Sequence, residues 1–359
     1  MSDPPKTIGL GILGAANIAR KNILSIKLLQ SIQVVAIGSR DVTKAQAMID
    51  DFELADTAIA YSSYEEVLHD SRVHAVYIPL PSTLHVEWVK KAATAGKHVL
   101  LEKPIAVTKD ETATILEVCN SNNVQLMDGT MWMHHGRTKE MESVLKSGAL
   151  GPILEVTSMF TFAAPIEFVK KDIRFKASGD PLGCLGDLGW YSIRAILWAY
   201  NYEMPVSVVA HHGAIFNEEG VPTAISGSLL FSKGRRGNFT CSFDCALTQR
   251  LHIAGTDGTL VLDDFVIPKN DKKAEFVVSK NHSLGKFDLQ DVTERDVVVV
   301  ENELPQEALM WETFAKCVQR VKDGQGCENT WQELAGKTQR IVSAVMESAK
   351  GGYVEISDF

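Results

Sequence analysis

Thr7-Ile8-Gly9-Leu10-Gly11-Ile12-Leu13-Gly14-Ala15-Ala16-Asn17-Ile18-Ala19-Arg20 reads as an apolar strand that enters a helix through a turn of small residues. Gly9, Gly11 and Gly14 match the spacing G-x-G-x-x-G, but Ile8, Leu10, Ile12 and Leu13 surround them, which places that match inside the strand. The physically sensible register begins at Gly14 and runs Gly14-x-Ala16-x-x-Ala19. Gly14 allows the sharp turn, Ala16 lets the backbone approach phosphates, and Ala19 lets the helix close on the strand. Residues Gly14, Ala15, Ala16, Asn17 and Ile18 are then the expected cradle for a dinucleotide pyrophosphate at a helix N-terminus. Ala19, Ile23 and Ile26 recur at helical spacing and support a helix from Asn17. Taken alone, the turn fits an ordinary strand-turn-helix equally well.

The rhythm of that first unit continues along the chain. Apolar strands are expected at 32–38, 74–78, 98–101 and 124–127, with helices over 44–52, 64–70, 84–95 and 111–120. Short strands alternating with helices imply right-handed βαβ units and a parallel sheet. Residues 1–130 therefore read as a dinucleotide-binding Rossmann domain. Beyond Gly151-Pro152 the pattern changes to β-favouring stretches at 153–162, 206–212, 226–231, 237–244 and 259–267, interrupted by one helix over 186–199 and followed by helices over 308–322 and 331–349. Residues 131–359 thus read as an α+β domain with a large, mostly antiparallel open sheet. Its C-terminal helices are expected to pack back toward the N-terminal domain. The free face of the sheet is expected to be apolar and to form a homodimer interface.

Composition excludes several classes. The 359 residues are 45% hydrophobic and 23% charged, the profile of a globular protein with a sizeable core. A formal charge of -9 gives no broad basic field, so neither nucleic acid nor an anionic membrane is an expected partner. Lys233, Arg235 and Arg236 flank Gly234 and Gly237 and read as a solvated hairpin turn. No apolar run suits a membrane span, and the first residues hold no apolar signal core, so a cytoplasmic location is expected. The 6 cysteines lack both metal spacing and disulfide density and read as reduced thiols, with Cys241 and Cys245 on one face of a strand. His134-His135 and His211-His212 are adjacent pairs that diverge in direction, so no metal site is expected.

Chemistry gathers at three places. Where an enzyme for the unphosphorylated dinucleotide would carry an acid at the end of the second strand, this chain has Ser39-Arg40. Arginine there can pair with a 2′-phosphate and stack on adenine, which predicts NADP(H); a solvated loop arginine is the plainer alternative. The strand 98–101 runs into Glu102-Lys103-Pro104, and a residue before proline is held extended. Lys103 is then a fixed projection at the sheet's carboxyl edge. Finally, Gly186-Asp187-Leu188-Gly189-Trp190-Tyr191 opens the helix of the second domain, with Asp187, Tyr191 and Arg194 at spacings that put them on one stripe. An amphipathic helix with a solvated Asp and a half-buried Tyr would look the same.

Together the Gly14 turn, Pro81-Ser82-Thr83-Leu84-His85, Ala95 to Pro104 with its Glu-Lys-Pro, and Asp187-x-Gly-x-Tyr191 resemble the Gfo/Idh/MocA oxidoreductase family, over nearly the full chain. Within it the chain is similar to the branch of dimeric trans-dihydrodiol dehydrogenase and NADP-dependent D-xylose 1-dehydrogenases, and to cytosolic plant members that share 127–132 and 186–191. The resemblance implies a catalytic pair of Lys103 and Tyr191, with Asp187 assisting a proton relay or holding substrate hydroxyls. It adds Pro81, His85, Glu102, Lys103 and Trp132 to the cofactor set, and makes Trp132, Phe160, Arg174, Asp187 and Tyr191 the substrate set. His134 departs from the branch, where arginine usually stands. The chemistry suits the pair: a phenol is a poor base at neutral pH, and a neighbouring ammonium favours its ionised form. The implied reaction is NADP(H)-dependent hydride transfer at a secondary alcohol, hemiacetal or carbonyl carbon of a sugar, polyol or cyclic diol. Alternatives are a ketone or imine reductase of plant specialised metabolism, a redox-assisted glycoside hydrolase holding its dinucleotide tightly, and a non-catalytic nucleotide sensor.

Overall fold

The computed structural model describes residues 7–280 and 294–356, and the chain divides into two compact units. Of these residues, 7–134 and 304–336 make up one unit, and 135–280, 294–303 and 337–356 the other.

The first unit opens with β1 (Ile8–Leu13), α1 (Asn17–Ile26), β2 (Ile32–Gly38), α2 (Val42–Asp51), β3 (Ile59–Tyr61), α3 (Tyr64–His69) and β4 (Ala75–Ile78). It continues with α4 (His85–Thr94), β5 (His98–Leu101), α5 (Lys109–Ser121) and β6 (Leu126–Asp128). The strands pair in the order β3-β2-β1-β4-β5-β6, all parallel. The order reverses between β1 and β4, and the crevice beyond the carboxyl ends at such a reversal is where open α/β sheets bind ligands. Gly9 and Gly11 lie within β1, as their apolar surroundings imply. Their small size serves packing, because a Cβ on Gly9 would stand 2.0 Å from the Arg72 carbonyl oxygen. Strand β3 was not anticipated; three half-exposed residues, Ile59, Ala60 and Tyr61, are too short a run for alternation to show.

The second unit begins with α6 (Gly136–Lys146), β7 (Ile153–Thr161) and α7 (Ile166–Lys171). A π-helical turn at Leu185–Gly189 leads into α8 (Trp190–Ala199), then β8 (Ser207–Ala210), β9 (Ile215–Phe216), β10 (Pro222–Leu230) and β11 (Arg236–Ser242). Strands β12 (Thr248–Gly255), β13 (Gly258–Leu262), β14 (Lys273–Lys280) and β15 (Glu294–Glu301) follow. Among the described residues they form one sheet ordered β15-β14-β13-β12-β7-β11-β10-β8-β16, where β16 is Val354–Glu355 and β9 pairs with β10. The sheet is mostly antiparallel, with one parallel pair, β7 with β11. Phe160, Phe239, Cys241, Leu251, Ile253, Leu260 and Phe276 are buried on one side.

The opposite side corrects the expectation of an apolar free face. One cross-strand row reads Val209, Ser228, Asn238, Thr157, His252, Val261, Val277 and Val297. Its middle is polar and hydrogen-bonded, Ser228 to Asn238 at 2.8 Å and Asn238 to Glu155 at 3.0 Å, and only the β13–β15 end is a valine ladder. Cys245 is exposed and lies beyond β11, so it shares no strand face with buried Cys241; all six thiols are free. Lys233 and Arg235 do sit in the turn between β10 and β11.

The chain returns through α9 (Gln306–Lys322) and α10 (Asn329–Gly351). Helix α9 belongs to the first unit, where Met310, Trp311, Phe314 and Val318 join the buried cluster of Ile8, Leu10, Ile23 and Val34. Lys21 of α1 ties to Glu307 of α9 at 2.5 Å.

Candidate active site

In the first unit the residues singled out from sequence collect at the carboxyl edge of the parallel sheet. Gly14 follows β1 with φ +116°, a conformation that suits glycine, and a Cβ there would stand 3.0 Å from Leu80 in the loop after β4. The N-cap of α1 is Ala16, which has no side chain to cap the free N–H groups, and the helix carries no acid in its first turn. By contrast, α2, α3 and α5 are capped by the side chains of Asp41, Ser63 and Thr108. An uncapped N-terminus behind a glycine turn fits a pyrophosphate. Ala15 and Ala16 are half-buried; Asn17 and Ile18 are exposed.

Ser39 is buried at the end of β2, and Arg40 is exposed beside it. Asp41 spends its carboxylate on Thr43, as the cap of α2. Tyr64, overlooked in the sequence because it opens α3 as a plain helix residue, belongs to this corner: its hydroxyl stands 3.8 Å from where a Gly14 Cβ would be. Burial raises the pKa of that hydroxyl, and the positive charge of Arg40 opposes the rise. Tyr64 is thus near both the Arg40 charge and the Gly14 turn. Pro81 comes from the loop after β4, and His85 opens α4. The His85 ring is buried, with Nε2 2.9 Å from the Leu80 carbonyl and Nδ1 3.3 Å from that of Ile105, so it clamps the loops after β4 and β5. Glu102 and Lys103 leave β5 half-buried, joined to Pro104 by a cis peptide. Trp132 is fully buried in a 3₁₀ turn after β6.

The second unit brings together the other set. The helix expected over 186–199 is π-helical through Asp187 before α8 begins, a widened turn of the kind common at functional sites. Glycines 183, 186 and 189 explain why α-periodicity failed there, since they hold no helical preference. Asp187 pairs with Arg174, Nε to Oδ2 at 2.9 Å, and Arg174 also reaches Asp172 at 3.0 Å. The Asp187 charge, then Asp172, holds the Arg174 guanidinium far above its ordinary pKa. Tyr191 lies against Phe160, ring centres 5.8 Å apart. Arg194 is fully buried and donates from Nε to Thr338 at 2.6 Å.

His134 stacks on Trp331 at 4.5 Å, whereas His135 caps α6 through the Arg137 N–H. Among the described residues no group of three or more His, Cys, Asp or Glu is arranged to hold a metal ion, and no helix is long and apolar enough to cross a membrane.

A glycine turn at an uncapped helix, at the reversal point of a 3-2-1-4-5-6 parallel sheet, defines a dinucleotide-binding Rossmann protein, and the second unit adds a large mixed sheet. Family comparison completes the assignment: residues 8–130 match the oxidoreductase family model described as an NAD-binding Rossmann fold, and residues 138–261 match the GFO/IDH/MocA C-terminal domain. The chain belongs to the Gfo/Idh/MocA oxidoreductase family. It is 32% identical to D-xylose 1-dehydrogenase (NADP(+)) 2 of Haloferax volcanii, over 95% of this chain and 97% of that one. It is 30% identical to trans-1,2-dihydrobenzene-1,2-diol dehydrogenase of Sus scrofa, over 76% and 78%. A crystal structure of a 3-ketoreductase from Actinomadura kijaniata with NADP and TDP-benzene superposes with TM-score 0.78 at 26% identity, covering 95% of this chain and 98% of that one.

Proposed function

We propose that the protein is an NADP(H)-dependent oxidoreductase that transfers hydride at a secondary alcohol, hemiacetal or carbonyl carbon of a sugar, polyol or cyclic diol. The observation that carries this reading is the likeness to an NADP-dependent xylose dehydrogenase along almost the whole length of both chains. Residues 14–18 hold the pyrophosphate and Arg40 the 2′-phosphate, with Ser39, Pro81, His85, Glu102 and Trp132 completing the cofactor set. When bound, the dinucleotide supplies or accepts the hydride.

Lys103 and Tyr191 are the catalytic pair. Tyr191 takes the hydroxyl proton as an alcohol is oxidised and returns it on reduction, while the Lys103 ammonium stabilises negative charge developing on the substrate oxygen. Phe160 and Trp132 shape the substrate set. Asp187 arrives already paired with Arg174, so the two act as one unit that orients substrate hydroxyls and leave the proton transfer to Tyr191. We also propose a homodimer joined through the open sheet face.

The test is to incubate the purified protein with NADP+ or NAD+ and either D-xylose or trans-1,2-dihydrobenzene-1,2-diol, following reduced nicotinamide by absorbance. Turnover with NADP+ is expected. Tyr191→Phe and Lys103→Met should each lower kcat by about a hundredfold while cofactor affinity barely changes; near-normal turnover in both overturns the assignment. Cofactor retained through purification, with sugar cleaved and no net absorbance change, would favour redox-assisted glycoside cleavage instead.

A further inference from the structure

We propose that Tyr77 is a positioning residue for Lys103, acting through Glu102 at the end of a one-way hydrogen-bond chain that starts on helix α9. The inference rests on the assignment of Lys103 as catalytic, and every member of the chain lies in the first unit.

The chain begins at Trp311, whose Nε1–H donates to Asn22 Oδ1 at 2.6 Å. An indole can only donate, so this bond fixes which way the Asn22 amide faces. The Asn22 amide nitrogen then donates to the Tyr77 hydroxyl at 3.0 Å and to the Ile18 carbonyl at 3.1 Å. With a lone pair of its oxygen engaged by Asn22, the Tyr77 hydroxyl directs its proton to Glu102 Oε1 at 2.5 Å. The other carboxylate oxygen of Glu102 accepts the backbone N–H of Lys103 at 3.2 Å. Donors therefore point one way, from the donor-only indole through amide and phenol to the Glu102 carboxylate, which also accepts the main-chain N–H of the lysine.

Three observations argue that the chain holds geometry and does more than fill the core. Asn22, Tyr77 and Trp311 are almost wholly buried, so each polar atom depends on its protein partners. The Tyr77 ring sits edge-on to Trp311 with centres 5.3 Å apart, which fixes the phenol from behind. Across the site, a Cβ on Gly129 would stand 3.1 Å from the Glu102 carboxylate, so a glycine leaves room for that carboxylate. Glu102 is thus seated between β4 and the loop after β6, and Lys103 inherits its orientation. Small displacements of a reacting group can cost on the order of a hundredfold in rate.

Tyr77→Phe keeps the ring and removes only the hydroxyl. Backbone amide exchange is read first, by NMR, without any substrate: exchange at Lys103 should quicken about tenfold, with Val99, bonded to the Gln125 carbonyl at 2.8 Å, unchanged as the control. Turnover is read second, with NADP+ and whichever of D-xylose or trans-1,2-dihydrobenzene-1,2-diol is oxidised. Tyr77→Phe should lower kcat about tenfold at unchanged KM, and should lower it no further when combined with Lys103→Met, because a residue that acts through another loses its effect once that other is gone. Unaltered exchange at Lys103, or a kcat loss that simply multiplies with that of Lys103→Met, overturns the proposal. A fully active Lys103→Met would instead overturn the catalytic assignment, and the exchange result separates the two failures.

Discussion

Arg40 shows how much one side chain can decide. It is exposed, its neighbour Asp41 is spent on capping α2, and its charge acts on Tyr64, whose hydroxyl lies beside the Gly14 turn. Arg40→Ala should therefore weaken NADP+ binding about tenfold and leave NAD+ binding unchanged, as measured by fluorescence titration of both. Equal loss for the two cofactors, or none, would remove Arg40 from the 2′-phosphate site. Residue identity was legible here because Ser39-Arg40 follows directly on β2, a local fact. The partnership with Tyr64 was not, because α3 brings it from another part of the chain. The Arg174–Asp187 pair illustrates the same divide: each residue was singled out from the sequence, yet only the structure shows that their charges are already matched.

Among the elements, the amino edge of the parallel sheet makes a prediction of its own. His98 opens β5, buried, with Nδ1 accepting the Gln125 N–H at 3.0 Å. Burial, with lesser help from the Lys322 charge and His74, pushes its pKa down from 6.5 to about 4. The unfolded chain thus takes up a proton that the folded one refuses as pH falls below about 6.5. Stability tied to this group is complete above that pH and is lost as pH drops through about 4, by about 3 kcal/mol in all, of which about 2 kcal/mol goes between pH 7 and pH 5. Urea unfolding at those two pH values should show the loss in wild type and much less of it in His98→Asn, whose amide oxygen can still accept from Gln125. An identical loss in both would place the acid sensitivity elsewhere. Apart from β3, the helices and strands of the first unit were legible from periodicity to within a few residues. In the second unit the sequence pattern does not mark β12, β14 and β15, because Lys273, Glu275, Glu294, Arg295 and Asp296 interrupt the apolar pattern of the two outer strands and Thr248, Gln249 and Arg250 that of β12.

For the whole molecule, the open sheet face carries the prediction. Sedimentation should find a dimer, and Thr157→Arg, at the middle of the cross-strand row, should yield a monomer that retains its fold by circular dichroism; a monomeric wild type would dispose of the sheet-mediated dimer. The chain's own order of residues determined the Gly14 turn, the βα alternation, Ser39-Arg40 and the Glu102-Lys103-Pro104 segment, since turn geometry, helical spacing and strand ends are properties of a few consecutive residues. Tertiary structure alone decided that β7 lies between an antiparallel and a parallel neighbour, that α9 completes the core of the first unit, and that Trp311, Asn22, Tyr77 and Glu102 join in one chain. Those pairings link residues as far as 289 positions apart, and they exist only once burial has removed water as a competing partner for each donor and acceptor.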